Sequence, residues 1–296
     1  MSLVSDLIEE TRDAYLLAGQ REPMNRLTST ITNSTTNFTL DFDLNSLGQG
    51  SRLSIDLEDM LVWDTNATAK TITVQRGTFG STAAAHSSGA LVLSGAKWSP
   101  FRVFKAINEE LRSLSSPSNN LFQMKTVDLT YNPAFNGYDL SGVSNILSVW
   151  QARYKATGSE KEWPLLTVTD FARQMDTSVF PSGNVLFIRE DAQPGMPVRV
   201  WYRAPFTPLS AVTDDVEAVS GLPASAHDIL SIGAAWRLTA GREVARNIFE
   251  SQGDTRRAGE VPPGAALGAS RNLAAIRAQR IKEEAQNLQR LYPVRV

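Results

Sequence analysis

The chain has 296 residues, of which 42% are apolar and 20% charged, with a net charge of −2. This composition is that of an ordinary globular protein with room for two or three modules, and it excludes a disordered chain. Cysteine is absent, which excludes disulfides, thiolate metal sites and cysteine nucleophiles, and no apolar run approaches the roughly 20 residues that span a bilayer.

Residues 3–18 read as a helix. Val4, Leu7, Ile8, Thr11, Tyr15 and Ala18 recur at three- and four-residue spacing, and Gly19 is placed to stop them. The acids of MSLVSDLIEETRD stand where a secretion signal carries Lys or Arg, so secretion by that route is not expected. From Thr28 the period changes to two. Phe38, Leu40, Phe42 and Leu44 alternate with Thr39, Asp41 and Asp43 as a strand with one buried face does. Short strands are expected at Leu53–Leu57, Met60–Trp63, Thr71–Gln75 and Ala90–Leu93, separated by Asn, Gly and Ser. Together they make a compact β module.

Ser99-Pro100 opens a second helix, with Ser as its cap and Pro in its first turn. Its stripe is Phe104, Ile107, Leu111 and Leu114, and the run Ser115-Ser116-Pro117-Ser118-Asn119-Asn120 ends it. A second β module follows, with strands expected at Gln123–Thr130, Ile146–Tyr154, Pro164–Phe171, Val185–Arg189 and Val198–Arg203. In the last, Val198, Val200 and Tyr202 face one way while Arg199, Trp201 and Arg203 face the other. Pro223 opens a helix with Ile229, Ile232, Trp236 and Ala240 inward, continuing toward Val244 and Ile248. A Gly- and Pro-rich loop covers 251–269. Ser270 then caps a last helix carrying Ala274, Ala278, Ile281, Ala285, Leu288 and Tyr292, about 33 Å long at 1.5 Å per residue. The class is therefore α+β. Its segments are an N-terminal helix (1–27), a small antiparallel β module (28–98), a linking helix (99–120), a second β module (121–210) and a C-terminal helical region (211–296).

Charge is polarised along this order. From Arg237 onward eleven Lys and Arg face six acids, a net of +5, which leaves −7 on the remainder. A basic end suits an acidic partner or nucleic acid, and equally a solvated Arg-rich helical face.

The patterns of catalysis are not found. His86 and His227 lie in no zinc-ligand spacing, and neither a GxSxG elbow nor a GxxxxGK[ST] loop occurs. His86 sits in the polar turn Ala85-His86-Ser87-Ser88-Gly89, where a hydrogen-bonding role outweighs that of a base. Asp228, beside His227, suits the free N–H groups of a helix start. The adjacent pairs Glu9/Glu10, Asp214/Asp215 and Glu283/Glu284 do not converge on one site. Trp63, Trp150, Trp201 and Trp236 fall within strand or helix patterns, where core packing is the default. No catalytic residue, metal ligand or cofactor is expected.

Two stretches resemble known proteins. Thr71-Ile72-Thr73-Val74 followed by Arg76-Gly77-Thr78-Phe79-Gly80-Ser81-Thr82-Ala83-Ala84-Ala85-His86-Ser87-Ser88-Gly89-Ala90 resembles a segment of small β modules in phage virion and tail proteins. Residues 197–241 are similar to head-to-tail adaptor proteins of tailed phages, in which a Tyr-rich last strand leads through "LP" into a helix with a small-residue core. Tyr202, Pro205 or Pro208, Leu209, Leu222-Pro223 and Gly233-Ala234-Ala235 occupy those places. The N-terminal β module departs from that mostly helical family.

The resemblance implies a structural virion protein at the head–tail junction, assembled in the host cytoplasm. It would be a ring subunit, by analogy dodecameric, that binds the portal and the next neck or tail-completion protein while viral DNA passes through. Portal docking is expected from Arg277, Arg280, Ile281, Leu288, Leu291 and Tyr292, and close helix packing from Gly233, Ala234 and Trp236. A minor tail, baseplate or capsid-surface protein, or a carbohydrate- or receptor-binding protein, is the alternative.

Overall fold

The computed structural model describes residues 2–17, 22–143, 145–155, 163–167, 169–189, 194–240 and 265–293, with side chains of the last stretch from Gly268. The fold is α+β. Two compact units are formed, each from two stretches of chain: 1–113 with 207–281, and 114–206 with 282–296.

In the first unit an antiparallel sheet has the order β1-β6-β3-β4-β5-β2, from β1 (Met24–Arg26), β2 (Asn37–Thr39), β3 (Arg52–Ile55), β4 (Glu58–Asn66), β5 (Thr71–Gln75) and β6 (Leu91–Ser94). Leu27, Phe38, Leu40, Leu53, Ile55, Met60, Val62, Ile72, Val74 and Val92 fill one core beneath it. The β3–β4 hairpin turns on Asp56-Leu57, with Ile55 paired to Glu58 and Asp56 in the left-handed region at φ 49°. The alternation from Phe38 to Leu44 does not continue as one strand. The ladder with β5 ends at Thr39, Leu40 makes an isolated bridge to Leu27, and Phe42 points outward at 54% exposure. The Asn25 side chain ends it, accepting the Phe42 N–H at 2.9 Å and donating to the Phe42 carbonyl at 3.1 Å. Trp63 also leaves the expected core. A register shift between Val62 and Asp64 bulges β4 there, and the indole is 60% exposed.

Helices complete this unit. The first begins as α1 (Val4–Glu10) and continues in π geometry over Thr11–Leu17. It is anchored by Val4 N–H to the Asp214 carbonyl and Val216 N–H to the Ser2 carbonyl, both 3.0 Å. Its Gly19 lies outside the described residues. Helix α2 (Pro100–Leu114) starts as expected, with Ser99 Oγ accepting the Arg102 N–H at 3.3 Å. Its buried face is Val103, Ala106, Ile107, Glu110, Leu111 and Leu114. Asp215 caps α3 (Val216–Ser220), which Gly221 ends at φ 76°. A 3₁₀ turn over Ala224–Ala226 leads into α4 (His227–Ala240), whose expected extension to Val244 and Ile248 lies outside the described residues.

The last helix, α5 (Ala265–Leu291), starts upstream of Ser270, which is buried inside the helix and is not its cap. Ala265, Ala266 and Leu267 are strong helix formers and extend it backward. None of the helices among the described residues is long and apolar enough to cross a membrane.

In the second unit the strands β7 (Gln123–Thr130), β9 (Ser148–Tyr154), β10 (Leu165–Leu166) and β13 (Pro197–Ala204) form a sheet of order β10-β9-β13-β7. The strands β8 (Gly137–Asp139), β11 (Thr169–Ala172) and β12 (Val185–Ile188) form another, of order β11-β12-β8. As read from the sequence, Val198, Val200 and Tyr202 are buried while Arg199, Trp201 and Arg203 are partly exposed. The stretch expected as one strand, Pro164–Phe171, is instead two. Leu165 and Leu166 pair with β9, and Thr169–Ala172 pair with β12, so the chain changes sheets between them.

Space near Gly233 is the tightest test of the first unit. A Cβ there would stand 2.3 Å from Glu110 Cδ and 2.4 Å from its Cγ. Gly233→Ala is expected to lower stability by about 2 kcal/mol or more, by overpacking against a buried carboxylate. Gly48→Ala, with open space at its Cβ, is expected to stay within roughly 0.5 kcal/mol of the parent. Thermal and urea unfolding of the two variants check this.

Candidate functional site

The stretch from Arg76 to Ala90 wraps around one carboxylate. Glu58 opens β4 and is 1% exposed. Arg76 donates to it from Nε and Nη2, each at 2.7 Å. The backbone N–H groups of Gly77 and Ala84 donate at 3.0 Å, and His86 Nε2 lies 2.9 Å from Oε2. The remaining Arg76 donor, Nη1, reaches the carbonyls of Thr32 and Thr35 at 2.7 Å. Gly77 has φ +60°, and a Cβ on it would stand 3.1 Å from the Ala83 nitrogen. Both features favour glycine there.

His86 makes hydrogen bonds, as expected of it, and is buried. Its backbone bridges to Ile31, and Nδ1 lies 2.8 Å from Asp56 Oδ2. With a carboxylate oxygen at each ring nitrogen, the protonated imidazole can donate to both, which favours the cation. Burial pushes the His86 pKa down, but the bonds to Asp56 and Glu58 outweigh it and leave the value raised. Burial likewise pushes Glu58 up, yet the donors from Arg76, His86, Ala84 and Gly77 bring it down to about 2. While protonated, such a histidine has no lone pair with which to accept a proton, and the carboxylate beside it already holds donors on both oxygens.

The neighbouring Asp59, fully buried, accepts Ser54 Oγ at 2.6 Å and Ser99 Oγ at 2.9 Å. Its backbone takes the Thr78 N–H at 2.8 Å and gives its own N–H to Ser81 Oγ at 2.9 Å. Arg76, Gly77, Thr78, Ser81 and His86 therefore all lock the same hairpin.

A second node lies among the helices. Glu110 is fully buried, and Arg237 Nε donates to its Oε2 at 2.9 Å while Arg277 Nε donates to its Oε1. Arg277 also reaches Ser113 Oγ at 3.1 Å. Trp236 has Arg237 and Arg277 at 5.4 and 5.3 Å from its ring. Arg280 Nε bonds Asp228 Oδ2 at 2.7 Å, so the acid of the first turn of α4 also holds α5.

Residues expected for docking and residues expected for helix packing thus meet on one carboxylate. Gly233 and Ala234 are buried, as is Ile281. Leu288 is half-buried, and Leu291 is 68% exposed. Within the second unit the Tyr292 ring meets Trp150 edge-on at 5.3 Å, and Trp150 Nε1 donates to the Pro293 carbonyl at 2.9 Å.

Glu58 and Glu110 were not singled out in the sequence. Each did leave a signal: an acid at the start of an apolar strand, and an acid three residues from Ile107 on an apolar stripe. No protein-family model matches the chain, and no curated protein matches it.

The clasp gives a defined pH dependence. Glu58, lowered from 4.5 to about 2, contributes stability above pH 4.5 that is lost as pH falls toward 2. His86, raised from 6.5, contributes below pH 6.5 and loses its contribution as pH climbs through the raised value. The stability difference between parent and His86→Gln is expected to be largest between pH 4.5 and 6.5 and to shrink on both sides. Urea midpoints followed from well below pH 4.5 to well above pH 6.5 measure it, and a difference that stays flat beyond both limits would contradict the paired imidazolium.

Proposed function

We propose that the chain is a non-enzymatic structural protein of a tailed-bacteriophage particle, a head-to-tail adaptor whose copies form a ring between portal and tail. The carrying observation is where the two phage-like stretches direct their side chains. Arg76, Gly77 and His86 close on Glu58, and Gly233 makes room for Glu110. Both stretches therefore build a framework, and a framework protein works through its outer surfaces. By the resemblance, the ring is dodecameric, passes viral DNA, sits at the head–tail junction of the virion, and is assembled in the host cytoplasm. Its neighbours are its own copies, the portal and the next neck or tail-completion protein.

With Arg277 and Arg280 paired inside the chain and Ile281 buried, the C-terminal segment offers Leu291 as its apolar contact. Burying that side chain against the portal contributes about 1–2 kcal/mol. The exposed Trp63 favours a second reading, a glycan- or receptor-binding surface, for which Trp63→Ala would abolish measurable glycan affinity.

Quantitative mass spectrometry of particles tests the main reading. About twelve copies support the connector; about three or six favour a tail tip, and hundreds a surface protein. Leu291→Glu is expected to weaken portal binding about tenfold, a change of about 1.4 kcal/mol, without altering unfolding. Undiminished binding would remove Leu291 from the interface.

A further inference from the structure

Beside the β3–β4 hairpin, and wholly within the first unit, a cleft of about 430 Å³ is lined by Arg52, Arg102, Lys105, Arg237, Phe79 and Phe101, with Glu109 as the acid among its walls. The cations come from separate parts of the chain. Arg102 and Lys105 are three residues apart on α2 and share one helical face. Arg52 belongs to β3 and Arg237 to α4.

These charges are not all matched within the protein. Arg237 is committed to Glu110. Among the described residues Arg102 and Lys105 form no side-chain hydrogen bond or ion pair, although the Arg102 guanidinium lies 5.3 Å from the Trp98 ring. Arg52 Nε is buried without an acceptor, and the guanidinium's nearest acid is Asp59 at 3.6 Å. Arg52 is thus held by a long ion pair to Asp59, and Arg102 and Lys105 are the cleft cations that no acid of the described residues matches.

The aromatic part is unusual as well. Phe79 adopts φ 55°, a region that bulky side chains rarely enter, and its ring is 54% exposed. Neither choice favours the folded chain by itself, and strain of this kind collects where a ring must be presented. Arg52 covers one side of Phe79, with its Cζ 4.0 Å from the ring centroid.

We infer that this cleft binds a phosphate ester carrying a planar ring, of the size and chemistry of a nucleotide. Arg102 and Lys105 meet the phosphate, and Phe79, backed by Arg52, supplies a stacking surface for the ring. A volume of this size suits such a ligand. The same chemistry is offered by a free mononucleotide and by a nucleotide within a single strand. The cleft stands whether or not the chain is a ring subunit.

Titration calorimetry of the full-length protein with adenosine monophosphate, inorganic phosphate and short oligodeoxythymidylate tests the assignment. Adenosine monophosphate is expected to bind, inorganic phosphate to bind at least tenfold more weakly, and Arg102→Glu/Lys105→Glu to lose at least tenfold in affinity. Both positions are exposed and make no ion pair among the described residues, so the double variant is expected to unfold at the parent's temperature. Phe79→Ala is expected to weaken the nucleotide and leave inorganic phosphate unchanged. Binding of the oligonucleotide alone, lost in the double variant, also supports the site and identifies a strand as its source. No saturable binding of any probe, or equal binding by parent and double variant, overturns the inference. Equal affinity for inorganic phosphate and nucleotide, insensitive to Phe79→Ala, overturns the ring-stacking assignment.

Discussion

Three helices of the first unit meet on a carboxylate that water does not reach. Taking Glu110 out of solvent costs several kcal/mol, and only the two arginines that close on it make the arrangement tenable. Arg237 comes from α4 and Arg277 from α5, so neither helix can shift along α2 without exposing an unpaired buried charge. Gly233 belongs to the same constraint. The carboxylate lies where any side chain at that position would stand. A well-packed apolar trio could be equally stable; the buried ion instead makes one register of the three helices better than its neighbours.

Glu58 applies the same rule to the sheet with different donors. Two of its bonds come from backbone N–H groups and the rest from Arg76 and His86, so the long segment after β5 is fixed along its length to the β3–β4 hairpin. Asp59 extends the lock to the start of α2 through Ser99. Sheet and helix layer of this unit are thus joined by acids whose oxygens are filled.

That closure shapes the functional reading. The basic character of the C-terminal region invites assignment to an external acidic partner, yet Arg277 and Arg280 face Glu110 and Asp228 of their own chain. On α2, by contrast, Arg102 and Lys105 are exposed and form no ion pair among the described residues. Toward an outside partner α5 exposes Leu291 in the second unit and Ile276, half exposed, in the first, beside the exposed cations Arg271, Lys282 and Arg290.

By itself the amino-acid order determined the elements whose cause is local. Strand β13 was legible because alternation with one buried face is written into consecutive residues, and the start of α2 because Ser99-Pro100 supplies cap and first turn within two positions. Where a local pattern met a distant partner, the tertiary structure decided. Phe42 follows the alternation but turns outward because Asn25 holds its backbone, and Trp63 leaves the core because β4 bulges against β5. Ser270 resembles a cap, yet the residues before it continue the helix. The two carboxylate nodes were the least legible, since Arg277 lies 167 residues from Glu110 and His86 lies 28 from Glu58. An ion pair acts through distance in space, and no spacing along the chain encodes which charges folding will bring within reach of each other.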